Sequence, residues 1–98
     1  MKHEIHRVTG FEKAAPFTLR VQFEDGTSQL IDFRPIFAGE MYGPLTNPHL
    51  FDSVKLDEEA HTLLWANGAD FDPAILHDWP VRGPELARLA QSWVAVAT

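Results

Sequence analysis

Phe17-Thr18-Leu19-Arg20-Val21-Gln22-Phe23-Glu24-Asp25-Gly26-Thr27-Ser28-Gln29-Leu30-Ile31-Asp32-Phe33-Arg34 is the stretch on which the fold turns. Phe17, Leu19, Val21 and Phe23 alternate with Thr18, Arg20, Gln22 and Glu24, the period of a half-buried strand. Asp25-Gly26 follows. It predicts a two-residue hairpin turn, because both central positions of such a turn need positive φ. Thr27 to Arg34 then returns, with Leu30 and Asp32 out of phase with Ile31 and Phe33. An antiparallel hairpin is the seed of the fold.

Outward from that seed, Glu4 to Phe11 reads as an N-terminal strand of imperfect alternation, broken by Ala14-Ala15-Pro16. On the other side Pro35 ends the return strand, since proline cannot donate to a ladder. Ile36 to Ala38 predicts one helical turn closed by Gly39, and Glu40 to Thr46 predicts a loop. Asn47-Pro48 pairs an N-cap residue with proline at the first helical position, so His49 to Asp52 is a short helix. Ser53 to Asp57 and His61 to Ala66 form a second hairpin, joined by a polar connection. Asn67-Gly68 is a turn, and Asp72-Pro73 starts a short helix over Ala74 to His77. Pro80 to Pro84 predicts a linker, and Glu85 to Ala97 a helix. Its stripe of Leu86, Leu89, Ala90, Trp93, Val94 and Ala97 marks one apolar face.

These elements give an α+β fold: a small antiparallel sheet of two hairpins plus an N-terminal strand, with short helical turns and one C-terminal amphipathic helix packed on it. Residues 1–80 form the sheet domain, and residues 81–98 add linker and helix to the same single domain. A chain of 98 residues that is 45% hydrophobic carries enough apolar surface for one core without staples.

The composition also excludes function classes. There is no cysteine, so disulfides, thiol catalysis and cysteine-ligated zinc are out, and a reducing cytoplasm is the expected compartment. Residues 1–7 hold no apolar run of a signal peptide, and no stretch has the length of a membrane span. The net charge is −6, and Arg7, Lys13, Arg20, Arg34, Lys55, Arg82 and Arg88 stand singly. Phosphate-backbone binding rests on concentrated positive charge, so direct nucleic-acid binding is disfavoured and a basic protein partner suits better.

The run Leu19 to Gly26, then Asp32-Phe33, Pro44-Leu45, Leu50-Phe51 and Trp65-Ala66-Asn67-Gly68-Ala69-Asp70-Phe71-Asp72-Pro73, resembles the bacterial domain-of-unknown-function family 2442. The resemblance covers residues 3 to 80, and Trp65 to Pro73 is its most specific part. It implies a small α+β domain without an established activity. Some relatives carry a helix-turn-helix DNA-binding domain after this one, whereas this chain has room for one helix after Pro84. Others are encoded beside a second small protein in toxin–antitoxin-like pairs, which implies a partner-binding role. The resemblance supplies no catalytic residues and no cofactor.

Among the chemistry-bearing residues, Asp70, Asp72 and His77 have the side chains of a divalent-metal site. Against that, Asp72 before Pro73 is placed to cap a helix, and Asp70 to brace a loop. The helix-start signal favours a rigid structural turn comprising Trp65, Asn67, Gly68, Asp70, Asp72 and Pro73, with no metal and no catalytic set. His3 and His6, three apart on a strand, point to opposite faces and read as solvated. No Gly-x-Ser-x-Gly and no phosphate loop occurs.

Trp65 and Trp93 fit apolar faces. Trp79, beside the linker, either seals the sheet against the last helix or anchors a partner. Tyr42, in the apolar segment Met41 to Leu45, has the same two readings. Trp79, Tyr42 and Trp93 are thus the candidate partner-binding residues. The expected function is a non-catalytic protein-interaction module, antitoxin-like or adaptor-like. The alternatives are a regulator reaching DNA through a partner and a metal-dependent enzyme using Asp70, Asp72 and His77. A homodimer through the C-terminal helix is compatible with each.

Overall fold

A computed structural model describes residues 6–96. Strands β1 (Val8–Ala15), β2 (Thr18–Phe23) and β3 (Ser28–Asp32) form one antiparallel sheet in the order β1-β2-β3. After a 3-10 turn come helices α1 (Gly39–Tyr42) and α2 (Pro48–Phe51), a two-stranded sheet of β4 (Lys55–Asp57) and β5 (Thr62–Leu64), α3 (Pro73–His77), and α4 (Trp79–Val96). The α+β class, both hairpins and the C-terminal helix agree with the sequence.

The founding hairpin keeps its alternation. Leu19, Val21, Phe23 and Ile31 are buried, while Arg20, Gln22 and Leu30 face solvent. Its turn differs from the expected one. Phe23 N–H donates to Thr27 O at 2.9 Å and Gly26 N–H to Phe23 O at 3.0 Å, which encloses three residues. Among the three, positive φ falls on Gly26 alone, at 87°. Asp25 is spared because its side chain accepts from the backbone two residues on, the usual Asx device.

β1 is displaced from its expected span: it runs on to Ala15, and Glu4 and Ile5 lie outside the described residues. A register shift between Val8 and Gly10 explains the imperfect alternation. Val8 stands opposite Phe23 and Phe11 opposite Val21, so one extra residue at the bulge turns both apolar side chains inward. The corner after β1 is Pro16-Phe17, with φ of 57° at Phe17. That conformation is strained for a residue bearing a Cβ. The Phe17 ring holds it, packed edge-on against Phe37 and Phe51, each 5.4 Å away.

Phe33 is the centre of the core. Its ring lies 5.4 Å from Phe71, 5.5 Å from Trp79, 5.7 Å from Trp65 and 5.9 Å from Phe51. One side chain thereby joins the sheet, α2, the β5 hairpin and α4. Such ring pairs contribute about 0.5–1.5 kcal/mol each beyond their buried area.

Three expectations fail. The turn expected over Ile36 to Ala38 is a 3-10 turn over Arg34–Ile36, and Gly39, the expected close of that turn, opens α1. Glu40 to Thr46 is not an open loop: it divides between α1 and a 3-10 turn, with Leu45 fully buried. Pro80 to Pro84 is not a linker, because α4 starts at Trp79 and runs through it. Pro80 sits in the first turn, where an N–H has no intrahelical partner anyway. Asp78 O starts the helix by accepting from Val81 and Arg82 N–H, each at 2.9 Å. The apolar stripe is also narrower than expected. Gly83 and Ala90 are buried, Leu86, Ala87 and Trp93 half-buried, and Leu89 is 56% exposed. The Val94 side chain and Ala97 lie outside what the structure describes.

Candidate functional site

The stretch Trp65 to Pro73 folds as a turn closely like that of the first hairpin. Trp65 N–H donates to Ala69 O and Gly68 N–H to Trp65 O, both at 2.9 Å, with φ of 89° at Gly68. Asn67 Oδ1 accepts from Ala69 N–H at 3.1 Å, as Asp25 Oδ1 accepts from Thr27 N–H at 3.0 Å. Asn67 Nδ2 donates onward to Met41 O at 3.0 Å, which moors α1 to the turn. Buried Trp65 donates its indole N–H to Phe51 O at 3.0 Å. Asp72 caps α3 by accepting from Ala74 N–H at 2.9 Å, with Pro73 at the first helical position.

Asp70 and Asp72 are not gathered with His77. Asp70 pairs through its backbone with Leu64, and its carbonyl accepts the Tyr42 hydroxyl at 2.9 Å. Burial and the Asp70 charge raise the Tyr42 pKa, so the phenol stays a donor. The Tyr42 ring stacks between Phe71, at 4.9 Å, and Trp93, at 5.9 Å. Trp79 seals the sheet against α4 through Phe33 and Phe71, and one part of its ring remains open.

That open part lines an apolar groove of about 290 Å³ bounded by Pro35, Trp79, Pro80, Gly83, Pro84 and Ala87. Two backbone peculiarities shape it. A Cβ on Gly83 would stand 2.7 Å from the Trp79 indole, so only glycine lets the ring lie on the helix. Pro84 lies inside α4 and has no N–H for the carbonyl one turn earlier.

His77 brings together a different set of side chains. Its ring is 18% exposed. Nε2 lies 2.8 Å from Asp25 Oδ2, and Nδ1 lies 2.9 Å from Asp78 Oδ1. The Thr27 hydroxyl is 3.3 Å from Nε2. His6 stacks on the ring at 3.8 Å, and Phe23 meets it edge-on at 5.0 Å. His6 is half-buried in this stack, where the sequence suggested solvent; His3 lies outside the described residues.

Asp78 and Asp25 raise the His77 pKa above its ordinary value, Asp78 most, which favours the imidazolium. Asp25 is held well below the usual carboxylate range, first by the Thr27 hydroxyl, then by the Thr27 N–H and His77. His77 O also accepts from Gln29 Nε2 at 2.8 Å, so β3 caps the end of α3. Sequence reasoning singled out His77 but missed Asp25, Asp78 and His6 as its companions. Only the Asp-Gly turn signalled Asp25, and nothing local pointed across the sequence separation of 52 from Asp25 to His77.

A family model described as a protein of unknown function, DUF2442, matches residues 11–80. No curated protein and no solved structure matches the chain. Among the described residues, no helix is long and apolar enough to cross a membrane.

Proposed function

The chain belongs to the DUF2442 family, and on that premise we propose that it is a non-catalytic protein-interaction module that receives a partner on the first turns of α4. The groove between Pro35 and α4 carries this reading. It is apolar, open, and floored by a tryptophan, the residue most enriched at binding hot spots. Proline inside a helix costs about 3 kcal/mol relative to alanine, yet Pro84 occupies such a position on the groove wall. A surface kept apolar at the expense of helix stability supports docking.

The net charge of −6 suits a basic partner, as in an antitoxin-like or adaptor pair, and the cysteine-free sequence suits a reducing, cytoplasmic setting. Expression beside the product of the adjacent gene, followed by co-purification and cross-linking, tests the reading. Pro84→Lys should keep the fold and abolish capture. Undiminished capture by that folded variant would refute the docking face, and failure of the parent chain to retain any partner would refute the module. Light scattering of the chain alone distinguishes a second copy of itself, docked through α4, from a different protein.

A further inference from the structure

We propose that His6, His77 and Asp78 form a binding site for a divalent first-row transition-metal ion, separate from the α4 groove. Each residue offers one ligand atom, and these atoms lie within 4.8 Å of one another. Bonds of about 2.0–2.1 Å in tetrahedral array bring ligand atoms to roughly 3.4 Å. Closure therefore asks the side chains to draw in by about an ångström or a little more, with the His6 ring tilting out of its stack.

The orientation of His77 is the second observation. A neutral imidazole carries one N–H, and here each ring nitrogen faces a carboxylate oxygen, at 2.8 and 2.9 Å. The doubly protonated ring satisfies both carboxylates; once Nδ1 gives up its proton, with Nε2–H kept by Asp25, the Nδ1 lone pair points at an Asp78 oxygen that is also an acceptor. A metal cation shared by Nδ1 and Asp78 takes that proton's place, and the His6 ring, stacked on the His77 face at 3.8 Å, offers a ligand atom within 4.8 Å of both.

Behind the ring, Asp25 has the part of an outer carboxylate that fixes tautomer and orientation. Its Oδ2 takes Nε2, while its Oδ1 is held by the Thr27 N–H at 3.0 Å and the Thr27 hydroxyl at 2.6 Å. Two imidazoles and one carboxylate select Zn²⁺, Ni²⁺, Co²⁺ or Cu²⁺ over Mg²⁺ and Ca²⁺. Three protein ligands leave a fourth position for water. Bound there, the ion ties the chain before β1 to the junction of α3 and α4.

Calorimetric titration of the EDTA-treated full chain with Zn²⁺ alone, with Co²⁺ absorption as a second readout, tests the site. One ion per chain is expected. His6→Gln and Asp78→Asn should each weaken binding at least ~10-fold, Asp25→Asn should weaken it by ~10-fold or more through ring orientation, and His49→Gln should leave it unchanged. Metal-free melting curves verify that each variant is folded; should Asp78→Asn fail that check, His6→Gln decides. Binding absent from the parent chain, or retained at full strength by folded His6→Gln, would overturn the proposal. Neither result bears on the α4 groove.

Discussion

Gly83→Ala inverts a familiar rule, and the size of the inversion follows from the packing. In an ordinary helix interior the change stabilises by about 1 kcal/mol. At position 83 the new Cβ would stand 2.7 Å from Trp79 Cε2 and Nε1 and 3.0 Å from Cδ1. Carbon atoms in good contact sit about 3.5–4.0 Å apart, so the indole would have to retreat by about an ångström. Phe33, 5.5 Å away, and Phe71, 6.1 Å away, pack on the ring and resist that movement. Overpacking of this kind costs about 1–3 kcal/mol. Set against the propensity gain, the net loss is about 1 kcal/mol, a fall of about 4–8 °C in Tm for a domain this size. Thermal and urea unfolding followed by tryptophan fluorescence, in EDTA, measures it. In a Trp79→Ala background the same change should become stabilising, by about 1 kcal/mol. A Gly83→Ala protein with Tm equal to or above the parent's, in the presence of Trp79, would refute the account of how α4 begins.

One position further on, Pro84→Ala should raise Tm, since it restores the hydrogen bond to the carbonyl one turn earlier and gains about 1–3 kcal/mol; no gain on melting would mean the helix is already broken there. Buried Thr62 donates its hydroxyl to Phe71 O at 2.6 Å. Thr62→Val leaves that carbonyl without its partner and should cost about 1–3 kcal/mol, read from the urea midpoint. The His77 pKa is raised above 6.5, so its contribution is complete below that pH and drains away as pH rises through the raised value. Asp25 is lowered from 3.8, so its contribution is present above that pH and is lost as pH falls toward the lowered value. In EDTA the urea midpoint should therefore be flat in the weakly acidic range and fall on the alkaline side. His77→Gln should remove the alkaline fall, and an unchanged fall would assign it to another group.

Legibility in the sequence followed the range of the interaction. Leu19, Val21 and Phe23 announced their face because a strand's period is two, and Asp72-Pro73 announced α3 because a cap is local. β1 was harder to read. Its bulge between Val8 and Gly10 puts Val8 and Phe11 on one face at a spacing of three, which mimics neither strand nor helix. Pro80 to Pro84 read as linker because two prolines and a glycine outweigh propensity, while the Trp79 ring and its seat on Gly83 supply what propensity lacks. His77 was visible as a titratable side chain in a short helix, but its true neighbours come from a hairpin turn and a strand end far along the chain. Proximity in sequence to Asp70 and Asp72 suggested the wrong companions, since those two are bound into the turn and the cap.

The two Asx-Gly turns share a hydrogen-bond pattern, and the difference between them isolates what makes one a site. In each, the first oxygen of residue 25 or 67 closes the turn on the backbone two residues ahead. The remaining atom decides the rest: Asn67 Nδ2 donates to the Met41 carbonyl, whereas Asp25 Oδ2 presents a charge to His77. Asp25→Asn should therefore preserve the first hairpin, because an amide oxygen still accepts from Thr27, while removing the anion beside the imidazolium. Against pH, in EDTA, the variant should fall below the parent wherever Asp25 is ionised, since the Thr27 bonds lose their charge, and furthest where His77 is also protonated. The deficit opens on the acid side as Asp25 titrates, and on the alkaline side it shrinks to the Thr27 part as pH passes the raised His77 value. A deficit that opens with Asp25 ionisation and then stays level through the His77 range would mean that Asp25 acts as a turn former alone. A deficit that shrinks as His77 loses its proton would mean that the Asp25 charge couples the hairpin to the end of α3.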